Sequence, residues 1–491
     1  MFSLFSVVSF RLPPRAFPLT WCALLLTFFF FVPSLLAQWE PDVRLTYNDL
    51  PSFTSLSSCV AAGPGAMVHV VWANFTRPAL DEDIYYKRST NNGVTWEAET
   101  RLTWDQQLHD WLPSVTISDS VVHVVWMYST RDIVYRRSTD GGGTWEAALR
   151  ISVTPNGVKC PSVAVSDSVV HVVWMHWAES AWPEIFYTRS TNSGASWSGE
   201  TRLTTVPWDS LSYAYLAPSI SVSGSVVHVV WGEDNREGSH EIYYKRSTNN
   251  GVTWQTDTRL TNDPAWSRKP SVSASGPVVH VAWSDERNGY EELYYKRSTD
   301  SGVTWGADTR LTTIPIADFP FVSASGTFVH MVWHDVRNSS DDLYYKRSTD
   351  SGVTWGADTF LSRPLVLYLD EGYPSVSAKG PFVHVVWTSQ GPGGGEIYYK
   401  RNPTGNSSVE EETAEIRGHR LEVELKARPN PFLSFAAVPG HELEHFELYD
   451  IAGREVGIYK GDRIGDGLSP GVYFLKPEEQ NTKSVRIVKV R

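Results

Sequence analysis

The sequence predicts an all-β protein whose larger part repeats one four-stranded unit. Short β-branched and aromatic phrases recur in a fixed order, each bounded by glycine, proline, asparagine or aspartate. An eight-residue phrase, Ser-Thr-Asp-Ser-Gly-Val-Thr-Trp at residues 298–305, returns unchanged at residues 348–355 and in four close variants. Aromatic residues make up 13% of the 491 residues, which also favours strands.

The eight-residue phrase has the chemistry of a braced β-hairpin loop. Its third residue can accept hydrogen bonds from nearby backbone N–H groups, and the glycine two places later takes a positive φ without steric cost. The final Trp supplies an apolar plate beside the turn. Six copies indicate a structural part rather than six active sites. The third residues are Asn91, Asp140, Asn192, Asn249, Asp300 and Asp350.

This phrase resembles the Asp-box, or BNR repeat, of the sialidase-like β-propellers. Three further phrases recur in step with it: PSV, VHVVW and IYYKRS, and each hairpin is followed by RLT or a relative. Each unit therefore has four strands, and the hairpin joins the third to the fourth. The Trp residues that end VHVVW recur about every 50 residues, a period typical of propeller blades.

The count of repeats predicts how the ring closes. Seven VHVVW strands occur but only six hairpins, because the last unit stops after residues 396–402. An orphan RLT, Arg44-Leu45-Thr46, precedes the first unit. We therefore expect a seven-bladed β-propeller over residues 38–403, in which the N-terminal strand completes the last blade and removes a sheet edge.

Residues 1–37 have the pattern of a secretory signal peptide. Arg11 and Arg15 form a positive region, an apolar stretch follows, and cleavage after Ala37 is expected. The alternative is an uncleaved membrane anchor, since the apolar stretch is near spanning length.

The C-terminal region differs in composition from the repeats. Residues 404–415 form a polar linker, and residues 416–491 are expected to form a small Ig-like β-sandwich. The phrases Pro-Asn-Pro-Phe at 429–432, Leu-Tyr-Asp-Ile-Ala-Gly-Arg at 448–454 and Leu-Ser-Pro-Gly-Val-Tyr at 468–473 resemble the type IX secretion system sorting domain. The resemblance implies export across a bacterial outer membrane by that machinery. The alternative is an ordinary accessory module.

Charge and cysteine content narrow the functional classes. The formal net charge of −12 argues against nucleic acids and anionic membranes as partners. Cys59 and Cys160 belong to different repeats and are expected to be buried free thiols. No spacing indicates a zinc or haem site, so no cofactor is expected, although a loop could hold a structural calcium ion at a position that cannot be assigned. The seven VHVVW histidines are expected to make hydrogen bonds between blades.

Propeller geometry directs the search for a ligand site to the loops between strands two and three and between strand four and the next blade. These loops share the face opposite the Asp-box hairpins. Aromatic residues and carboxylates there suit sugar rings, which stack and hydrogen-bond; alternatively, they fill gaps between blades. The candidates are Trp111, Trp208, Tyr213, Tyr215, Trp266, Arg268, Asp318, Phe319, Tyr368, Asp370, Glu371 and Tyr373.

An acidic residue and an arginine also recur at fixed offsets after three VHVVW strands. The arginines are Arg236, Arg287 and Arg337. Such a repeat is best explained by a structural pair within each blade. A ring of these pairs around a channel mouth could still bind a polar ligand.

The sialidase resemblance implies a substrate-binding arginine triad, of which the first lies in a Phe/Tyr-Arg-Ile-Pro motif. Residues 38–491 contain no such motif, and sialidases have six blades. Because a fold does not carry a function with it, we favour a secreted or cell-surface propeller, monomeric and without catalysis, that binds an extracellular glycan or protein. The alternative is a sialidase-like exo-glycoside hydrolase, whose catalytic residues the sequence leaves unknown. A third hypothesis is a structural or sensory propeller whose face binds no small ligand.

Overall fold

The structure is a computed structural model that describes 18 stretches of the chain. These are residues 39–47, 51–54, 59–76, 81–104, 109–153, 157–177, 183–204, 217–234, 240–314, 316–337, 341–362, 373–391, 394–405, 445–450, 454–460, 464, 468–477 and 485–489. The chain divides into two compact units, Met1–Glu410 and Glu411–Arg491. The predicted signal peptide, Cys22 and most of the predicted linker lie outside the described residues.

Every described element of the first unit is a β-strand. The strands are β1 (Val43–Arg44), β2 (Ser52–Phe53), β3 (Val60–Ala62), β4 (Val68–Thr76), β5 (Asp81–Ser89), β6 (Thr100–Arg101), β7 (Asp110–Ser118), β8 (Val121–Tyr128), β9 (Asp132–Ser138), β10 (Leu149–Arg150), β11 (Val158–Ser166), β12 (Val169–His176), β13 (Glu184–Ser190), β14 (Thr201–Arg202), β15 (Ser219–Ser223), β16 (Val226–Asp234), β17 (His240–Ser247), β18 (Thr258–Arg259), β19 (Ser267–Ser275), β20 (Val278–Asp285), β21 (Glu292–Ser298), β22 (Thr309–Arg310), β23 (Ala317–Ser325), β24 (Phe328–Asp335), β25 (Asp342–Ser348), β26 (Thr359–Ser362), β27 (Ser375–Lys379), β28 (Phe382–Gly391) and β29 (Gly394–Asn402).

These strands form antiparallel sheets that we number 1 to 7 by their VHVVW strands β4, β8, β12, β16, β20, β24 and β28. In sheet 5 the order is β19-β20-β21-β22, so PSV is innermost and RLT outermost, as the repeat predicts. The second strand is buried on both faces, because each sheet packs between two others. The inner strands surround one central cavity. The architecture is a β-propeller, and its sheets are the blades.

The N-terminal strand joins sheet 7, as the orphan RLT predicts. Val43 and Arg44 of β1 pair with Tyr399 and Tyr398 of β29. The eight-residue phrases keep the name Asp-box, after the motif that they resemble. Trp39 precedes β1 by the same number of residues as Trp96, the last residue of the first such phrase, precedes β6. Its ring packs edge-on against Tyr345 of sheet 6, with ring centroids 4.8 Å apart. Trp39 therefore takes the place of the Asp-box tryptophan that the seventh unit lacks.

The same edge-on contact joins the other neighbouring sheets. In each, the second Tyr of the IYY phrase, or its counterpart, meets the Asp-box Trp of the next sheet at a centroid distance of 4.7 to 5.0 Å. The pairs are Tyr86–Trp145, Tyr135–Trp197, Tyr187–Trp254, Tyr244–Trp305, Tyr295–Trp355 and Tyr399–Trp96.

The Asp-box loop is braced as its chemistry predicts. Asp300 Oδ1 accepts hydrogen bonds from Ser298 Oγ at 2.7 Å and from Thr304 N at 2.9 Å. Gly302 has a φ of 79°, and a Cβ atom there would lie 1.9 Å from the Tyr244 hydroxyl. Glycine is therefore required both for the left-handed turn and for the close approach of the neighbouring sheet. Ser301 N donates to the carbonyl of Pro277, which places the loop beside the turn between strands one and two.

The arginine of IYYKR fastens each sheet to the next loop. Arg246 Nη1 donates to Ser301 O at 2.7 Å, and Arg401 Nη1 of sheet 7 donates to Asn92 O of sheet 1 at 2.9 Å. The polar side chains of the RLT phrase form their hydrogen bonds within their own sheet. Arg101 and Thr103 both donate to the buried carboxylate of Asp83, at 2.5 and 2.7 Å.

The seven VHVVW histidines were expected to form hydrogen bonds between blades, and the structure shows a different partner. Each shares a hydrogen bond with a tyrosine hydroxyl of its own sheet, at 2.6 to 2.7 Å, rather than with a neighbouring blade. The partner is the same tyrosine that packs against the next Asp-box. The histidine therefore orients the ring that makes the contact between sheets.

Cys59 and Cys160 are buried free thiols, as predicted. The thiol of Cys59 donates to the carbonyl oxygen of Pro113 at 3.7 Å. In the stretches that the structure describes, no helix is long and apolar enough to cross a membrane.

The second unit contains one described four-stranded sheet. Its order is β31-β30-β32-β33, with β30 (His445–Asp450), β31 (Glu455–Lys460), β32 (Gly471–Pro477) and β33 (Val485–Lys489). Arg454 Nε donates to Asp450 Oδ2 at 2.8 Å, which joins the residue before β31 to the last residue of β30.

Replacing Trp39 tests the closure of sheet 7. We expect Trp39→Ala to lower the free energy of unfolding by about 3 kcal/mol, because a large ring is removed from a packed contact. Chemical denaturation monitored by circular dichroism measures this. Trp96→Ala is the matched comparison and should cost a similar amount; a much smaller effect for Trp39→Ala would show that the two rings are not equivalent.

The buried histidines predict acid sensitivity. Burial lowers the pKa of His69, His123 and His384 to about 3, and that of His171, His228 and His280 to about 4. An unfolded histidine has a pKa of about 6.5. Unfolding therefore takes up protons below pH 6.5, so stability falls as the pH drops from about 6.5 towards 4.

Each such histidine contributes up to about 1.4 kcal/mol per pH unit to this slope. Denaturation curves at pH 7, 6 and 5 measure it. His280→Gln removes one titrating group. The dependence of unfolding free energy on pH should therefore become less steep by up to about 1.4 kcal/mol per pH unit, which corresponds to one proton. An unchanged slope in His280→Gln would contradict the attribution of acid sensitivity to the buried histidines.

Candidate functional site

The central cavity has a volume of about 250 Å³ and is lined by the inner strands of all seven sheets. The serine hydroxyls of these strands bind neighbouring sheets. For example, Ser271 Oγ accepts a hydrogen bond from Val322 N at 3.1 Å, and Ser273 Oγ accepts one from Ala324 N at 2.9 Å. These hydroxyls are thus used to hold the sheets together, and the distinctive chemistry lies at the end of the cavity.

The residue before the proline of PSV lines the cavity in sheets 5, 6 and 7, as Lys269, Phe319 and Tyr373, whereas Leu112 and Cys160 at the same position of sheets 2 and 3 are buried in the core. The pairing of β19 with β20 shifts register between Arg268 and Ser271, and that of β23 with β24 shifts between Asp318 and Phe321. Within these bulges Lys269 and Phe319 have φ values of 55° and 52°. Non-glycine residues seldom adopt this conformation, and bulges next to functional sites re-aim side chains.

A chain of contacts joins the resulting cluster, which we call the channel mouth. The Arg268 guanidinium lies 4.9 Å from the Trp266 ring centroid and pairs with Glu286 and, at 2.8 Å, with Glu291. Lys269 Nζ lies 3.7 Å from Glu291 and donates to Asp318. The mouth is thus a connected network of two cations and three carboxylates that spans sheets 5 and 6.

Two aromatic rings continue the channel mouth towards sheet 7. Lys269 Nζ lies 3.6 Å from the centroid of the Phe319 ring, and Phe319 lies 4.0 Å from Tyr373 at an interplanar angle of 36°. Lys269, Phe319 and Tyr373 all line the central cavity. Apolar ring faces therefore stand directly beside hydrogen-bonding groups.

The carboxylates of the mouth differ in their surroundings. Burial raises the pKa of Glu291, and the nearby charge of Asp318 adds to that effect. Asp318 is buried and accepts hydrogen bonds from Ser284 Oγ at 2.5 Å and from the backbone N of Phe319 at 2.8 Å. The site thus places one fully hydrogen-bonded carboxylate beside another whose proton is held more tightly.

The predicted candidates divide into three groups. Trp266, Arg268, Asp318, Phe319 and Tyr373 meet at the channel mouth. Trp111 instead packs against the core between sheets 2 and 3, which matches the gap-filling alternative. The remaining loop candidates, and Arg236, lie outside the described residues: Trp208, Tyr213, Tyr215, Tyr368, Asp370 and Glu371.

Arg287 and Arg337 are held within their own sheets. Arg287 makes a two-point contact with Asp285, at 2.8 and 2.7 Å, and its guanidinium lies 4.3 Å from the Tyr294 ring. Arg337 contacts Asp335 in the same way, at 2.9 and 2.6 Å. These contacts support the interpretation as structural pairs.

Sequence reasoning missed Lys269, Glu286 and Glu291. Lys269 could have been found, because it precedes the PSV proline just as Phe319 and Tyr373 do. The two glutamates lie on a loop whose conformation the repeat does not specify. Among the described residues, no group of three or more His, Cys, Asp or Glu side chains could hold a metal ion.

Comparison with solved structures finds similar folds at low identity. An ulvan lyase of polysaccharide lyase family PL25, bound to a GlcA–Rha3S saccharide, has a TM-score of 0.51 and 13% identity over 73% of this chain and 95% of its own. The polysaccharide lyase Uly1 has a TM-score of 0.51 and 10% identity over 74% of this chain and 100% of its own. These similarities show a β-propeller fold.

A Hadza microbial sialidase aligns with a TM-score of 0.41 and 14% identity over 57% of this chain and 63% of its own. The chain therefore spans less than two thirds of that sialidase's length. No protein-family model matches the sequence, and no curated protein matches it.

A double-mutant cycle tests the ion pair at the mouth. We expect Lys269→Met to lower the free energy of unfolding by about 2 kcal/mol, because Asp318 stays buried without its cation. Asp318→Asn in the same chain should recover part of that loss. Urea denaturation of the single and double variants measures the coupling, and additive losses would show that the two charges act independently.

Proposed function

We propose that the protein binds an extracellular glycan at the channel mouth. The observation that carries this proposal is the chain of contacts that runs from Trp266 and Arg268 through Lys269 and Asp318 to Phe319 and Tyr373. Lys269, Phe319 and Tyr373 in this chain line the central cavity. Ring faces stack on the C–H faces of sugars, while the charged groups hydrogen-bond hydroxyls. The similarity to polysaccharide lyases supports a glycan as the ligand only through the shared fold.

Both signs of charge at the mouth bear on the kind of glycan. The two cations are matched by Glu286, Glu291 and Asp318, so the site has no excess positive charge to hold a polyanion by charge alone. We propose a polar saccharide recognised through its hydroxyls rather than through a high charge density. The six Asp-box loops lie at the other face and take no part.

We further propose that the seven sheets form one closed seven-bladed ring with Asp-box loops. Support comes from the pairing of β1 with β29, from the contact between the inner strands β27 and β3, and from Trp39 beside Tyr345. We propose that the protein is a monomer. The outer strands of most sheets are only two residues long, so they offer few unpaired backbone groups to which a second chain could bind.

We propose export through a type IX-like route to the bacterial cell surface. The signal-peptide pattern of residues 1–37 and the three sorting-domain phrases support this route. The described sheet of the second unit includes residues from two of those phrases. The outer-membrane secretion machinery would be the partner of this unit.

A glycan array probed with the mature chain tests the ligand. We expect a saccharide to bind, and Phe319→Ala and Trp266→Ala each to weaken that binding at least tenfold, because each removes about 1.4 kcal/mol or more of stacking. Isothermal titration calorimetry measures the affinities. Tyr47→Ala, an exposed ring outside the mouth, serves as the control and should bind normally.

A fluorogenic sialoside assay separates this proposal from the sialidase-like hydrolase. We expect no turnover. Turnover that Tyr373→Phe or Asp318→Asn abolishes would contradict a purely binding role and favour the hydrolase, whereas binding that survives every mouth substitution would place the ligand elsewhere.

A further inference from the structure

A second pair of stacked rings repeats in six of the seven sheets. The Trp that ends VHVVW lies opposite the residue after the first Ile or Leu of IYY, and that residue is aromatic. The ring centroids are 6.0 to 6.2 Å apart, with interplanar angles of 18° to 30°. The pairs are Trp72–Tyr85, Trp174–Phe186, Trp231–Tyr243, Trp283–Tyr294, Trp333–Tyr344 and Trp387–Tyr398.

Sheet 2 departs from this rule. Val134 stands opposite Trp126, so the second ring is missing. A cavity of about 390 Å³ lies at this position, between the outer strand of sheet 1 and sheet 2, and both Trp126 and Val134 line it. We call it the ring slot. The substitution of one ring by a smaller side chain explains why the space occurs here.

The walls of the ring slot are mainly apolar, with polar groups at defined points. Trp104 lines it and is 61% exposed, with the Arg136 guanidinium 5.3 Å from its ring centroid. Arg150 Nε and Asp132 Oδ1 lie 2.6 Å apart on another wall. Asp110, also in the lining, accepts a hydrogen bond from the indole N–H of Trp126 at 2.6 Å.

We propose that the ring slot binds one pyranose ring of a saccharide. The six other sheets show that a six-membered ring fits at this position. Two tryptophans offer faces for the sugar C–H groups, and the Asp132–Arg150 pair offers an acceptor and donors for its hydroxyls. Asp132 Oδ1 also accepts from Ser152 Oγ at 3.5 Å, and Arg150 Nε and Nη2 donate to the carbonyls of Ser152 and Val153 at 2.9 and 3.3 Å. A sugar hydroxyl would add to these contacts at the other carboxylate oxygen or at Arg150 Nη1, which a purely aromatic ligand does not do.

The ring slot and the channel mouth are separate. The slot is built from residues 102–104, which follow the outer strand of sheet 1, and from residues of strands β7 to β10 of sheet 2, whereas the mouth is built from sheets 5, 6 and 7 around the central cavity. The inference therefore adds a second sugar-binding position to the proposed function and does not depend on the first.

Filling the slot tests the proposal. Val134→Tyr restores the ring of the other sheets and should fold normally, with an unchanged or higher melting temperature. Val134→Thr keeps the size of the side chain and leaves the slot open. Each variant, and the unchanged protein, is titrated by saturation-transfer NMR with the methyl pyranosides of glucose, galactose, mannose, xylose and rhamnose, and with p-cresol as an aromatic probe without sugar hydroxyls.

We expect at least one methyl pyranoside to bind the unchanged protein with a dissociation constant on the order of 1 mM, as for other ligands of about a dozen heavy atoms. Val134→Tyr and Trp104→Ala should weaken this binding at least tenfold, whereas Val134→Thr and Phe319→Ala should change it less than twofold.

Three results would overturn the proposal. They are the absence of binding by all five sugars, binding that Val134→Tyr leaves unchanged, and binding of p-cresol in the slot without binding of any pyranoside. Sugar binding lost in Phe319→Ala but kept in Val134→Tyr would instead assign the signal to the channel mouth.

Discussion

The contact on which the propeller depends is the approach of one tyrosine hydroxyl to the glycine of the next Asp-box. The hydroxyl lies where any Cβ atom would stand, its ring packs edge-on against the Asp-box tryptophan, and a histidine of its own sheet fixes its position. Because the same tyrosine contacts both sheets, the turn conformation, the spacing between blades and the buried histidine are set together. This explains why the eight-residue phrase varies so little among its six copies.

The seventh sheet shows how this constraint is met without an Asp-box loop. Arg401 and Glu40 form an ion pair, with Nε and Oε2 2.5 Å apart, as Arg88 and Glu97 do in sheet 1. Trp39 then supplies the missing ring. The two halves of one hairpin are thus contributed by opposite ends of the propeller unit, and only the connecting loop is absent. Sheet 7 thus keeps the contacts of the hairpin without its covalent continuity.

Both proposed ligand sites lie where the sequence departs from the repeat. At the channel mouth, the position before the PSV proline carries Lys269, Phe319 or Tyr373, and the first two of these lie in bulges. In sheet 2, a valine replaces a ring and leaves a slot beside Trp126. The recurring phrases build the scaffold, while single positions that break the pattern create space, charge or exposed ring faces.

Periodicity alone was enough to predict the strands, their order, the Asp-box turn and the partner of the orphan Arg44-Leu45-Thr46, because these depend on local turn chemistry and on pairing between successive strands. The burial of Cys59 and Cys160 followed in the same way. The channel mouth could be predicted only in part: Trp266, Asp318 and Tyr373 stood out as unusual loop residues, but Lys269, Glu286 and Glu291 did not. Their proximity depends on how three sheets meet around an axis. The histidine partners and the ring slot were likewise decided by tertiary packing, since a side chain's neighbour across a sheet and the volume left by a missing ring are not encoded in any one repeat.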